Sequence, residues 1–180
     1  RSAAASRIAA ARHAKNAHHS GEEDYNYFLA VIFPHHQMRI MDYNRVVKDL
    51  NGLSTMGFLA RLTERFVVSI SAPRYRPMQR GEFSLYLPGQ WYRLTIHPHL
   101  IPTEDPVARL DVSLLSDNLL GPVLGIKDLR RDKRIDFVGG IRGLEELERR
   151  VDSGEMAAAF ALHATDMEDL MSVADAGEVM

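Results

Sequence analysis

Arg134-Ile135-Asp136-Phe137-Val138-Gly139-Gly140-Ile141-Arg142-Gly143 is a short apolar run that breaks on paired glycines, meets a third, and gives way to an amphipathic helix. Strand, turn and helix follow one another with no linker, and this alternation decides the fold class. A strand that ends on small residues and feeds a helix leaves backbone N–H groups free to meet an anion. Gly139 and Gly140 are candidate binding residues on that ground. The same glycines also build a tight strand-to-helix turn without any ligand, and Gly-Gly-x-x-Gly matches no specific phosphate-loop pattern.

Downstream, Leu144, Leu147 and Val151 give the next helix a buried stripe, and Glu145/Arg149 and Glu146/Arg150 give it exposed pairs in the favourable order. Gly154 ends that helix, and Met156 to Leu162 is a continuous apolar strand. Thr165-x-x-Glu168 reads as a capping box for a last helix carrying Met167, Leu170, Met171 and Ala174. Upstream, Phe83–Leu87 and Gln90–Ile96 flank Pro88-Gly89 in the clearest hairpin of the chain, and Phe66 to Ile70 is a further strand. Ser54 is placed to cap a helix running to Arg65, with Leu53 and Phe58 as a hydrophobic staple. Asp111 is placed to cap a helix marked by Val112, Leu115 and Leu119. Nearer the start, Ser2 to Arg12 is an Ala-rich helix, Tyr25 to Phe33 a buried strand stopped by Pro34, and Gln37 to Met41 a second strand. The sum is α+β: a mixed β-sheet with helices packed on it, a hairpin-rich middle and a βαβα-like C-terminal part. We expect a single region over residues 1–180.

Composition narrows the function classes. A formal net charge of −2 argues against a protein that coats nucleic acid. No apolar run approaches the roughly 20 residues that span a bilayer. The chain has no cysteine, which removes disulfides, thiolate metal sites and a Cys nucleophile, and a reducing cytoplasmic setting is the expectation. The sequence begins at Arg1 and enters directly into a helical pattern, so a fragment of a longer protein is expected.

Candidate chemistry is scattered. Asp42-Tyr43-Asn44-Arg45 follows an expected strand end, and Asn44 and Arg45 side by side could bind a carboxylate or phosphate, or form a turn with a surface ion pair. Asp111, with Arg109 just before it, could serve as a base or hold a metal–nucleotide, and needs no further role if it is a helix cap. Ser113 has no partner base and no nucleophile elbow. The paired histidines His18-His19, His35-His36 and His97-x-His99 lack a metal-binding pattern and read as surface turns. Arg74, Arg76 and Arg80, and the group from Arg130 to Arg134, read as solvated basic loops.

Several blocks together resemble the bacterial and archaeal "domain of unknown function 1015" family. They are Gln37 to Gly52, Leu110-Asp111-Val112-Ser113-Leu114-Leu115, Leu124-Gly125-Ile126, Arg134 to Gly140, and the last thirty residues. Members of that family are larger proteins, and the resemblance implies that Arg1-Ser2-Ala3-Ala4 continues an Asp-Gly-His-His-Arg motif at a helix start. That motif is similar to the phosphate-binding motif of ParB partition proteins, sulfiredoxin and free-serine kinases. By that resemblance Arg1 would contact phosphate, with Ser2 beside it.

The implied activity is a nucleotide-dependent phosphotransferase acting on a small hydroxylated metabolite, with free serine as first candidate. ATP or ADP with Mg2+ would be the cofactor; the partners would be substrate and nucleotide, with no nucleic acid and no membrane. In that reading Asn44 and Arg45 orient substrate or phosphate, and Asp111 or Asp136 act at the reacting centre or hold Mg2+. Two alternatives stay open: a nucleotide-binding switch without phosphoryl transfer, and a scaffold segment whose chemistry lies elsewhere.

Overall fold

Alternation of side chains along the strands gives this sheet two covered faces. The structure, a computed structural model, describes residues 2–71 and 74–178. It divides the chain into two units, Arg1–Met38 and Arg39–Met180.

In the first unit, helix α1 (Ser2–His13) is followed by short 3-10 turns at Asp24–Asn26 and His35–Gln37. The Tyr25 hydroxyl ties the first turn to the loop that follows α1, through His19 Nδ1 at 2.8 Å and Asn16 Nδ2 at 3.2 Å. The expected strand over Tyr25 to Phe33 is absent: Leu29 and Ile32 are 93% and 91% exposed and the stretch takes no place in a sheet. β-rich sequence without a neighbouring strand has neither ladder bonds nor a face to bury. The expected strand at Gln37 to Met41 is likewise replaced, by the His35–Gln37 turn and irregular chain.

The second unit is built on strands β1 (Tyr43–Val47), β2 (Phe66–Ser71), β3 (Glu82–Leu87), β4 (Gln90–Ile96), β5 (Ile135–Gly139) and β6 (Ala158–Leu162). They form one six-stranded sheet in the order β2-β4-β3-β6-β1-β5. With helices α2 (Thr55–Leu62), α3 (Asp111–Leu115), α4 (Gly143–Asp152) and α5 (Met167–Asp175), the fold is α+β. Every pairing is antiparallel, where a mixed sheet was expected. The reason is the place of β1. Strands β5 and β6, joined by α4, run in the same direction as a βαβ unit should, but β1 lies between them and is antiparallel to both. The C-terminal part is therefore a split βαβ unit.

The hairpin forms as its sequence directs. Leu87 pairs with Gln90, Pro88 presets the first corner and Gly89 takes φ +78°, which only glycine adopts without strain. One sheet face gathers Val47, Phe83, Leu85, Leu94, Phe160 and Leu162 against Phe58 and Leu62 of α2 and the leucines of α3. A π-helical turn, Ser116–Leu120, prolongs α3 and brings Leu119 and Leu120 into the same core. The opposite face sets Val46, Tyr86, Val138 and Ala159 against Leu144, Leu147 and Val151 of α4. Central strands β3 and β6 are buried along their whole length.

Local details shift by a residue or two. Ser54 caps α2 as expected, its Oγ accepting from Gly57 N at 3.1 Å. The cap of α5 is Asp166 rather than Thr165, accepting from Asp169 N at 2.8 Å. The N-cap position of α3 is Leu110, so Asp111 is already inside the helix and its carboxylate is used elsewhere. On α4, Arg149 meets Glu146 at 2.7 Å, while Arg150 turns away to Asp136 and Glu155, and Glu145 meets Arg74 at 2.5 Å. Among the described residues no helix is long and apolar enough to cross a membrane.

Candidate functional site

Strands β1 and β6 pair only from Arg45↔Phe160 to Val47↔Ala158 and then part, although β6 continues beside β3 to Phe83↔Leu162. The side chain of Asn44 sets the parting point. Its Oδ1 accepts from Leu162 N at 3.1 Å, supplying the acceptor that a continued ladder would have provided, and its Nδ2 donates to Asp42 Oδ2 at 2.8 Å. A cleft of about 230 Å3 opens there. Arg39 to Asp42 form one wall, Leu162 to Ala164 another, and Arg76 to Met78 the third. Asp42 is buried, with Arg76 NH1 at 3.5 Å from its Oδ1. Its backbone oxygen accepts from Gly140 N at 2.7 Å, which fixes the wall to the end of β5.

His163 and Ala164 also line a second, narrower recess of about 10 Å3, together with Arg80, Arg109, Asp111, Thr165 and Asp169. Asp111 is 7% exposed; its Oδ1 accepts from Gly81 N at 2.8 Å, and its Oδ2 is buried with no partner among the described residues. Burial pushes the Asp111 carboxyl up to about 6, helped by the charges of Asp169 and Glu82 and opposed by the Gly81 bond and Arg80. Asp169, also buried, is held above the usual carboxylate range by its burial despite Arg80 at 3.0 Å and Arg109 at 3.8 Å. Arg80 additionally pairs with Asp166, and Arg109 Nε is buried without a partner among the described residues.

The arrangement has a definite chemical capacity. One carboxylate oxygen lacks a donor and one guanidinium N–H lacks an acceptor, and both residues line the same recess. A hydroxyl group is the kind of partner that can donate to a carboxylate and accept from a guanidinium. The recess has room for about one such group. A carboxyl that ionises near 6 is mostly ionised at neutral pH and still basic enough to take a proton.

Comparison with known families fixes what kind of chain carries this site. The family model described as "Protein of unknown function (DUF1015)" matches residues 1–113. The chain belongs to this family. The matched part of the DUF1015 chain includes Asp42, Arg76, Arg80, Arg109 and Asp111, whereas His163 and Asp169 lie beyond it. No curated protein and no solved structure matches the chain.

The residues singled out in the sequence end up in different places on the DUF1015 fold. Asp111 lines the recess. Asn44 and Gly140 stand directly behind the cleft wall, supporting Asp42 without lining the cleft. Gly139 ends β5 opposite Tyr43. Arg45 lies within β1 rather than beyond a strand end. It is 6% exposed, donates to the Tyr43 carbonyl and packs over the rings of Tyr43 and Phe137 at 5.1 and 4.5 Å. Burial lowers its pKa to about 10, and among the described residues no carboxylate is paired with it. Asp136 is exposed on β5, engaged by Arg150 at 2.7 Å, and is not brought together with Asp111. Ser2 begins α1 in the other unit, and Arg1 lies outside the described residues.

No group of three or more His, Asp or Glu side chains is arranged to hold a metal ion among the described residues. Arg80 lies between the carboxylates of Asp166 and Asp169. In the sequence Arg76 and Arg80 read only as solvated basic loops, and His163 and Asp169 carried no signal. The available signal was Arg109-x-Asp111, an acid and a base two apart at a helix start.

Proposed function

We propose that this chain forms the acceptor side of a nucleotide-dependent phosphotransferase acting on a small hydroxylated metabolite, with free serine as the first candidate. One observation carries the reading: Asp111, whose buried Oδ2 has no partner among the described residues and whose carboxyl ionises near 6, lines a recess together with Arg80 and Arg109. In the reaction the substrate hydroxyl gives its proton to Asp111 Oδ2 while its oxygen attacks the terminal phosphorus of the nucleotide. The bond from that phosphorus to the bridging oxygen breaks, and the shortened nucleotide leaves. Positioning and charge neutralisation supply most of the rate in such transfers, and Arg80 and Arg109 are the groups placed to supply the charge.

The neighbouring cleft of about 230 Å3 suits a small metabolite and is below the size that a drug-sized ligand occupies. Arg39 and Arg76 on its walls would hold an anionic group of that metabolite. The nucleotide is then held elsewhere. By its sequence likeness to the phosphate motif of ParB proteins, sulfiredoxin and free-serine kinases, the Arg1-Ser2 stretch is the candidate for holding nucleotide phosphates. Mg2+ would arrive on the nucleotide phosphates, which commonly need only one or two protein carboxylates.

The test is thermal shift of the polypeptide as its gene encodes it, across ATP, ADP, CTP and GTP with Mg2+. A nucleotide at 100 times its Kd stabilises by about 2.7 kcal/mol. A shift with one nucleotide, lost in Arg1→Ala, is the expected outcome. No shift with any of them removes the phosphotransferase reading.

A further inference from the structure

The cleft and the recess take Arg76 and Arg80 from one irregular segment, residues 74–81, that has no secondary structure of its own to hold its shape. What holds it is the first residue of β3. Glu82 is 1% exposed, and its two oxygens collect donors from along the segment. Oε2 accepts from the Tyr75 hydroxyl at 2.5 Å and from Met78 N at 3.3 Å. Oε1 accepts from Gln79 Nε2 at 3.1 Å and from the guanidinium of Arg93 on β4. Arg93 in turn covers the Tyr75 ring at 5.0 Å, and Ser84 Oγ donates to the Tyr75 carbonyl at 2.5 Å. Arg76 is fixed between Tyr75 and Met78, both bonded to Glu82. Arg80 is fixed between Gln79 and Gly81, whose N–H is the one bonded to Asp111.

A buried carboxylate with four donors is expensive unless the arrangement it enforces matters, because a leucine at a strand start would bury more cheaply. Nothing in the sheet requires it: β3 pairs with β4 and β6 through its backbone. We propose that Glu82 is a positioning residue, which clamps residues 75–81 so that Arg76 and Arg80 are preset toward the cleft and the recess. This rests on the reading of that site as the place where an anionic substrate binds.

The experiment combines amide hydrogen exchange with binding of inorganic phosphate as the probe, in the wild type, Glu82→Gln, Tyr75→Phe, Arg76→Ala and the Tyr75→Phe/Arg76→Ala double variant. Tyr75→Phe removes a single bond to Glu82 and serves where Glu82→Gln fails to fold. The expected result is faster exchange confined to residues 75–81, with protection of β1 and β5 unchanged. Phosphate affinity falls about tenfold in either clamp variant, the size of one lost charge-assisted contact. The double variant then loses less than the sum of the two single losses, because part of the clamp's effect passes through Arg76. Unchanged exchange in 75–81, or losses that simply add, would overturn the proposal. If the wild type binds no phosphate, the functional reading fails, and the exchange data still decide the clamp by themselves.

Discussion

A Cβ placed on Gly140 would stand 2.1 Å from Oδ1 of Asp42 and 2.9 Å from its backbone oxygen. No side chain fits there, so glycine at 140 is what allows Asp42 to lie against the end of β5 and form the cleft wall. The neighbouring Gly139 meets nothing within 4 Å. Gly140→Ala is therefore expected to cost about 1–3 kcal/mol by overpacking, whereas Gly139→Ala stays within about 0.5 kcal/mol of the wild type. Urea midpoints of the two variants check this. Of the paired glycines, Gly140 is the one whose lack of a side chain the packing uses.

Asp111 gives the fold a pH dependence of unusual sign for an acid. Its folded pKa is raised from 3.8 to about 6, so between those values the folded protein binds more protons than the unfolded chain. Its contribution to stability therefore falls as pH rises through that window and is least favourable above it, by up to about 3 kcal/mol. Asp111→Asn removes this dependence. Stability of the variant relative to the wild type is expected to rise between about pH 4 and about pH 7, read by chemical denaturation at both. A constant difference would contradict the burial and environment assigned to this carboxyl.

Arg45 is buried against Tyr43 and Phe137 and has no carboxylate partner among the described residues, so its charge is uncompensated while its stem and plane pack well. Arg45→Met keeps the length and removes the charge. It should leave stability within about 1 kcal/mol of the wild type or above it, while Arg45→Ala costs about 2–4 kcal/mol through the cavity it leaves. Thermal denaturation separates the two. Phosphate affinity should be unchanged in Arg45→Met, because this side chain does not line the cleft.

The Ser54 cap is a simpler check on the helix that covers one sheet face. Its Oγ satisfies Gly57 N at 3.1 Å, and Ser54→Ala should cost about 1 kcal/mol. The denaturation midpoint should fall with no change in the slope against denaturant.

The sequence was informative wherever one residue's neighbours in the chain are also its neighbours in space. The Pro88-Gly89 hairpin, the Ser54 cap and the stripe of Leu144, Leu147 and Val151 are of this kind, and each is present. Strand direction was not legible. It depends on β1 entering between β5 and β6, a long-range choice that no local pattern records. Tyr25 to Phe33 shows the converse, since β propensity there has no partner to act on. The site was half legible. Asp111 stood out as an acid at a helix start, but its function as a carboxylate depends on Gly81, Arg80 and Asp169, all distant along the chain. Arg76 and Arg80 read as solvated charges because the residue that fixes their segment, Glu82, looks in sequence like any polar residue at the start of a strand.

The most direct measurement of the central claim is phosphorus NMR of the gene-encoded polypeptide mixed with ATP or ADP, Mg2+ and serine, in the wild type and in Asp111→Asn. The account predicts a growing phosphomonoester signal from the wild type and a rate lower by at least about 100-fold in the variant, the usual worth of a positioned general base. No phosphorylated serine or related hydroxy compound from the wild type, or equal rates from both proteins, would contradict it.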